Sequence, residues 1–368
     1  MTFSSRITAF YRVRADASAI EDKARAVANE QSVEMPLEAI SDARVLGTIV
    51  GRVESIDDCG QGEFLVRISL SAETAGGEAG QLLNMLFGNT SIHDTVSLED
   101  IELPASLLEA FGGPRVGMRA LQARAGAQHR ALSCAALKPQ GLSVAALADI
   151  AGRLARGGVD FIKDDHGLAN QLYSPFAERV AACAAAVRSA SAETGLPTRY
   201  APNVSGNLDN LRQQIALACD EGLDTVLIEP MICGLSAFHT VTREFSSVAF
   251  LAHPAMAGAA RIAPPLLLGK LFRLFGATAT IFPHYGGRFG YSLETCNEIA
   301  RASRDEWAGL DACLPAPAGG VTMDRLTEIL EFYGPDIMVL MGGGLLAAGE
   351  RLTEETETFA RRLRGLRL

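Results

Sequence analysis

The chain has 368 residues, 48% hydrophobic and 21% charged, an ordinary globular composition with enough apolar material for two domains. A formal net charge of −10 with no basic run argues against a nucleic-acid binder, and no apolar run approaches the roughly 20 residues of a membrane span. Seven scattered cysteines without a Cys-x-x-Cys pair fit reduced core thiols of a cytoplasmic protein, and the first residues carry too many charges for a signal peptide.

Residues 1–130 predict an α+β domain. Apolar and polar residues alternate over 7–15 ("ITAFYRVRA") and 63–71 ("EFLVRISLS"), as in half-buried strands, while 19–31 and 79–88 carry helical spacing. The stretch "GGPRVGMRALQARAG" reads as a turn and linker. From 131 to 368 short apolar runs alternate with amphipathic stretches. The runs cover 132–138, 159–165, 198–205, 225–231, 247–253, 279–284, 314–320 and 337–344. Eight runs about 30 residues apart predict a (β/α)8 TIM barrel, with an open parallel sheet as the other arrangement this pattern allows. Ser143 is placed to cap one helix, and Ser174 precedes Pro175 at the start of a second. Thr322 starts a third that ends at Gly334, and the basic C-terminus "ARRLRGLRL" forms a short solvated helical tail.

In a barrel the working face is the carboxyl end of the strands. Those ends carry Lys138, Lys163, Asp165, His166, Asn203, Glu229, His253 and His284. Only four of the 33 basic residues are lysine, and two of them, Lys138 and Lys163, stand on this rim. An amine can lose its proton and act as base or nucleophile where an arginine cannot. Residues 163 and 165 share a strand face, so a modified lysine and Asp165 can hold one divalent ion, although a salt-bridged strand end would read the same way. The clusters Ala318-Gly319-Gly320 and Gly342-Gly343-Gly344 follow the seventh and eighth runs, the usual phosphate position of these barrels, or serve as plain tight turns. Lys138 is open to use as a Schiff-base nucleophile or a proton shuttle, and His253 and His284 as bases or phosphate partners.

These residues resemble the large subunit of ribulose-bisphosphate carboxylase (RuBisCO) in order and spacing over nearly the whole chain. "GVDFIKDDH" is similar to that family's Gly-x-Asp-Phe-x-Lys-Asp-Asp-Glu signature, "LKPQGLS" to its Lys-Pro-Lys-Leu-Gly-Leu-Ser, "FGN" at 87–89 to its amino-terminal Gly-Asn, and "AGG" and "GGG" to its phosphate loops. The resemblance implies a ferredoxin-like α+β domain before the barrel. It implies that Lys163 takes up CO₂ as a carbamate and binds Mg²⁺ with Asp165 and residue 166, and that Lys138 handles the enolisation proton. It implies catalytic use of His253, and phosphate binding at Gly319, Gly320, Gly343 and Gly344. Asn89 and Glu30 would complete the site of the partner subunit in a homodimer.

The departures shape the expected activity. The glutamate ligand is His166, the second lysine of Lys-Pro-Lys is Gln140, and the arginine after the strand-5 histidine is Pro254. Ala318 and Met35 replace a serine and a threonine, and the mobile lysine loop reads "HYGGRFG" with Arg288 near the lysine's place. Losing groups that hold CO₂ and a second phosphate resembles the RuBisCO-like proteins of form IV. The expected reaction is Mg²⁺-dependent enolisation, isomerisation or decarboxylation of a sugar phosphate, without productive CO₂ fixation, with His284 and Arg288 contacting phosphate or carboxylate. The rival readings are a Schiff-base aldolase, a non-catalytic or regulatory protein on the same scaffold, and a residual bisphosphate carboxylase.

Overall fold

The computed structural model describes residues 5–128, 130–287 and 289–366. The chain divides into two compact units, Met1–Gly112 with Met256–Leu267, and Gly113–Ala255 with Leu268–Leu368.

In the first unit four antiparallel strands, β1 (Arg6–Arg14), β2 (Arg52–Gly60), β3 (Glu63–Ser71) and β4 (Val96–Glu102), lie in the order β2-β3-β1-β4. Helices Ile20–Glu30 and Ala79–Phe87 follow β1 and β3, which gives the ferredoxin-like βαββαβ arrangement. Ile7, Ala9, Tyr11 and Val13 alternate into the core, and Ala24, Val27 and Ala28 face it from the first helix. Sequence patterning misses β2 and β4 for different reasons. β2 buries no residue fully, so it shows no apolar alternation. β4 buries Val96, Leu98 and Ile101, but its register against β1 jumps at Phe10/Tyr11, and this bulge breaks the period of two. The segment around 261–263 joins this unit by a parallel bridge, Leu98 N–H donating to Arg261 O at 3.0 Å and Ala263 N–H to Leu98 O at 2.9 Å.

The second unit is the barrel. Its strands are β5 (Leu132–Leu137), β6 (Phe161–Asp164), β7 (Arg199–Ala201), β8 (Asn203–Val204), β9 (Thr225–Ile228), β10 (Ala249–Ala252), β11 (Ala279–Pro283), β12 (Leu314–Ala318) and β13 (Met338–Met341). β7 and β8 are one barrel strand interrupted at Pro202, which has no N–H to donate. All pair in parallel, and β13 returns to lie beside β5. No ladder joins β12 to β13 among the described residues, and proline explains it. Leu314 and Ala318 bond towards β11, so Pro315 and Pro317 face β13 without donors.

Inside the barrel alternate residues fill the lumen: Leu132, Cys134 and Ala136 from β5, Phe161 from β6, Leu251 from β10, Ile281 from β11 and Leu340 from β13. The stretch expected to be a linker contains the helix Met118–Arg124, whose Met118 and Leu121 join this core, so apolar burial overrides its glycines. Below the strands, buried Asp160 receives both Arg130 nitrogens (2.8 and 2.7 Å) and the N–H and hydroxyl of Ser133 (2.8 Å each). Ser143 caps Val144–Arg156 as expected. Ser174 does not cap its helix: Phe176–Thr194 has Pro175 in the cap position, and Asn170 Oδ1 accepts the Phe176 N–H instead. Cys134, Cys183, Cys296 and Cys313 are buried, whereas Cys59 and Cys219 are exposed, contrary to the expectation of core thiols throughout, and all seven are free.

Candidate functional site

The parity of β6 builds the site. Phe161 points into the lumen, so Lys163 and Asp165 follow on the inner face while Asp164 turns outward towards the helices. Lys163 is 3% exposed, Asp165 6% and Asp164 fully buried. Lys163 Nζ donates to Asp164 O at 2.9 Å. Burial lowers the Lys163 pKa, and the positive charge of Lys138 adds to that.

Lys138, at the end of the neighbouring β5, forms an ion pair with Asp165 Oδ1. The same oxygen lies 3.3 Å from His166 Nδ1. Burial raises the Asp165 pKa, but hydrogen bonds from His166 and Lys138 outweigh it and hold the carboxyl well below the usual range. The His166 ring stacks on that of His253, centroids 4.2 Å apart and planes at 12°. His253 Nδ1 accepts the Ala255 N–H at 3.2 Å, so the neutral ring carries its proton on Nε2. Burial, then Lys163, pushes the His253 pKa down to about 2.

Asp164 accepts from Tyr200 OH (2.7 Å), Arg179 Nε (3.1 Å) and Asn203 N (3.1 Å). Glu229, 3% exposed at the end of β9, has no hydrogen-bond partner for Oε1, and burial pushes its pKa up to about 8 against the pull of Lys163. Asn203 Oδ1 is likewise buried without a partner.

Around the rim, His284 is fully buried with Nδ1 3.1 Å from Tyr333 OH and Nε2 unpartnered. Gly319 and Gly320 take positive φ of 80° and 109°, a conformation that favours glycine. Gly343 opens a short turn of helix, Gly343–Leu346, after β13. The loop after β11 lies on the turn after β12 so closely that a Cβ at Gly287 would stand 2.0 Å from Gly319 O.

Lys138, Lys163, Asp165, His166 and His253 are thus brought together, with His284 and the two glycine turns on the same end of the barrel. Asn89 and Glu30 belong to the first unit, where Asn89 Nδ2 donates to Glu30 Oε1 at 2.9 Å and Glu34 Oε1 at 3.1 Å. Arg288 lies outside the described residues. Patterning did not single out Arg179 or Tyr333. Arg179 had a signal: it stands on the buried stripe Phe176, Arg179, Val180, Cys183 and Val187, where an arginine needs partners.

The donor set suits a divalent cation. Asp165 and His166 supply an oxygen and a nitrogen donor side by side, Oδ1 and Nδ1 3.3 Å apart in a hydrogen bond that a bound ion would replace. Among the described residues no three His, Cys, Asp or Glu side chains converge on an ion, so the set depends on an oxygen-bearing Lys163.

Residues 115–279 match the family model of the ribulose bisphosphate carboxylase large chain, catalytic domain. The chain is 56% identical over 363 residues to a 5-methylthioribulose-1-phosphate isomerase of Rhodospirillum rubrum, covering 98% of this chain and 97% of that one. It is 30% identical over 315 residues to a 2,3-diketo-5-methylthiopentyl-1-phosphate enolase of Geobacillus kaustophilus, covering 80% and 76%. The crystal structure of a Rubisco-like protein from Rhodopseudomonas palustris superimposes with a TM-score of 0.92 at 55% identity, covering 99% of both chains.

Proposed function

This chain belongs to the RuBisCO-like proteins, and on that premise we propose that it is an isomerase of a phosphorylated keto-sugar of the 5-methylthioribulose 1-phosphate type. The observation that carries the reading is the cluster at the ends of β5 and β6, where the amine of Lys138 meets Asp165 beside the buried Lys163. Released from that ion pair and deprotonated, the Lys138 amine can take a proton from the carbon next to a carbonyl and return it to the neighbouring carbon. The 56% relative favours isomerisation over the enolase reaction named for the 30% relative.

Lys163 as its carbamate, Asp165 and His166 would hold Mg²⁺. When bound, the ion supplies positive charge where oxygen charge develops during enolisation. Burial of Lys163 favours the neutral amine, the form that adds CO₂. His253 offers an uncharged donor at Nε2. The N–H groups of Gly319, Gly320, Gly343 and Gly344 suit one phosphate, with His284 as a further contact. In a homodimer, Asn89 and Glu30 of each copy complete the other's site; their support is that Asn89 is exposed, its amide already oriented by two carboxylates. No described helix is long and apolar enough to cross a membrane, and we place the protein in the cytoplasm.

The test is incubation with Mg²⁺, bicarbonate and 5-methylthioribulose 1-phosphate in D₂O. Isomerised product carrying deuterium next to the carbonyl, abolished by Lys163→Ala, is the expected result. An unchanged sugar with no deuterium would overturn the proposal.

A further inference from the structure

The segment between β6 and the helix Phe176–Thr194 carries Asp165 and His166 at its start, and its carbonyls are held by side chains rather than left to solvent. Asn203 Nδ2 donates to His166 O (3.0 Å) and Leu168 O (2.9 Å). Arg179 donates from one terminal nitrogen to Ser174 O (2.9 Å) and from the other to Ala169 O (2.8 Å). Gln171 Nε2 takes Gly167 O at 2.7 Å. Five loop carbonyls are fixed in this way. Loops ordinarily satisfy such groups with water.

The same arginine grips Asp164, and both side chains are 0% exposed. A guanidinium is the side chain that can do this, because its planar fork reaches the carboxylate and two carbonyls at once. Asp164 is also bonded by Tyr200 OH and by the backbone of Asn203. The clamp therefore holds the outward residue of the strand end and the loop beyond it. Asp165 and His166 lie between these anchors, so their direction follows from the clamp.

We propose that Arg179 and Asn203, with Asp164, are positioning residues that aim Asp165 and His166 at one point in the barrel mouth. The proposal rests on the reading of that pair as ligands of a divalent cation. Partners that orient metal ligands typically change metal affinity by about 10–100-fold when removed.

The experiment titrates Mn²⁺ into the full-length protein with bicarbonate present, followed by electron paramagnetic resonance, for wild type, Asn203→Ala and Tyr200→Phe, with circular dichroism to confirm the fold. Asn203→Ala should keep its fold and weaken Mn²⁺ binding by about tenfold or more. With the rate expressed per folded molecule, kcat should fall while KM stays close to wild type, so that the loss does not reflect missing active protein. Tyr200→Phe removes one donor to Asp164 and leaves the ring, so it decides the matter if Asn203→Ala does not fold; it should weaken Mn²⁺ by a smaller factor, about threefold. Folded variants with wild-type Mn²⁺ affinity would overturn the clamp and leave the isomerase reading standing. A wild-type protein that binds no Mn²⁺ in bicarbonate would overturn both.

Discussion

Replacing Gly287 by alanine tests whether the loop after β11 must lie flush on the glycine turn after β12. Gly287 has its φ outside the left-handed region, so the backbone itself accepts a side chain. The obstacle is a carbonyl: the new Cβ would stand 2.0 Å from Gly319 O and 3.0 Å from His284 O. Non-bonded carbon–oxygen contacts settle at about 3.3–3.6 Å, so one loop must retreat by more than about 1 Å. A misplacement of about 1 Å near reacting groups can cost on the order of 10²-fold in rate, about 2.7 kcal/mol of barrier. Overpacking of this kind destabilises by about 1–3 kcal/mol. Steady-state kcat/KM with 5-methylthioribulose 1-phosphate and a thermal melt measure the two effects. Gly258→Ala is the control, because nothing lies within 4 Å of its added Cβ and its φ is outside the left-handed region. Its stability should stay within about 0.5 kcal/mol of wild type. Wild-type kcat/KM in Gly287→Ala, or equal damage in both variants, would show that the two loops need not lie flush.

Other outcomes follow from the same geometry. Asp160→Ala leaves Arg130 and Ser133 without their buried acceptor and should cost about 3–5 kcal/mol, seen as a melting point lower by roughly 6–20 °C. His284 is held neutral by burial, reinforced by Arg325 and opposed by Glu328, which lowers its pKa from 6.5 to about 4. Between those values the unfolded chain binds the proton and the folded one does not, so stability falls as pH drops from 6.5 to 4. In His284→Asn that slope should be shallower in urea melts across the same window. Lys138→Met should abolish deuterium exchange while leaving Mn²⁺ bound in a direct titration, since the amine is assigned to the proton and not to the ion.

The barrel was legible because its strands are short, buried and regularly spaced, and all eight runs became strand positions. Lys163 and Asp165 were legible for the same reason: strand parity puts them on the face of Phe161. What failed was local. A bulge in β4 erased its alternation, and a helix of the barrel core hid behind glycines at 112–117. The roles of Arg179 and Tyr200 were not legible, because they depend on a side chain from the following helix and one from the neighbouring strand both converging on Asp164. Proline at 175 displaced the cap expected from Ser174, leaving Asn170 to accept the helix N–H.

The bridge between Leu98 and the 261–263 segment has a consequence for synthesis. A ribosome that has delivered β1 to β4 has still to translate some 150 codons before the last piece of that unit emerges. Until then the outer edge of β4 is bare, open to pairing with another nascent chain. A gene cut after residue 112 would make that interval permanent, and the fragment it encodes should aggregate where the whole chain does not.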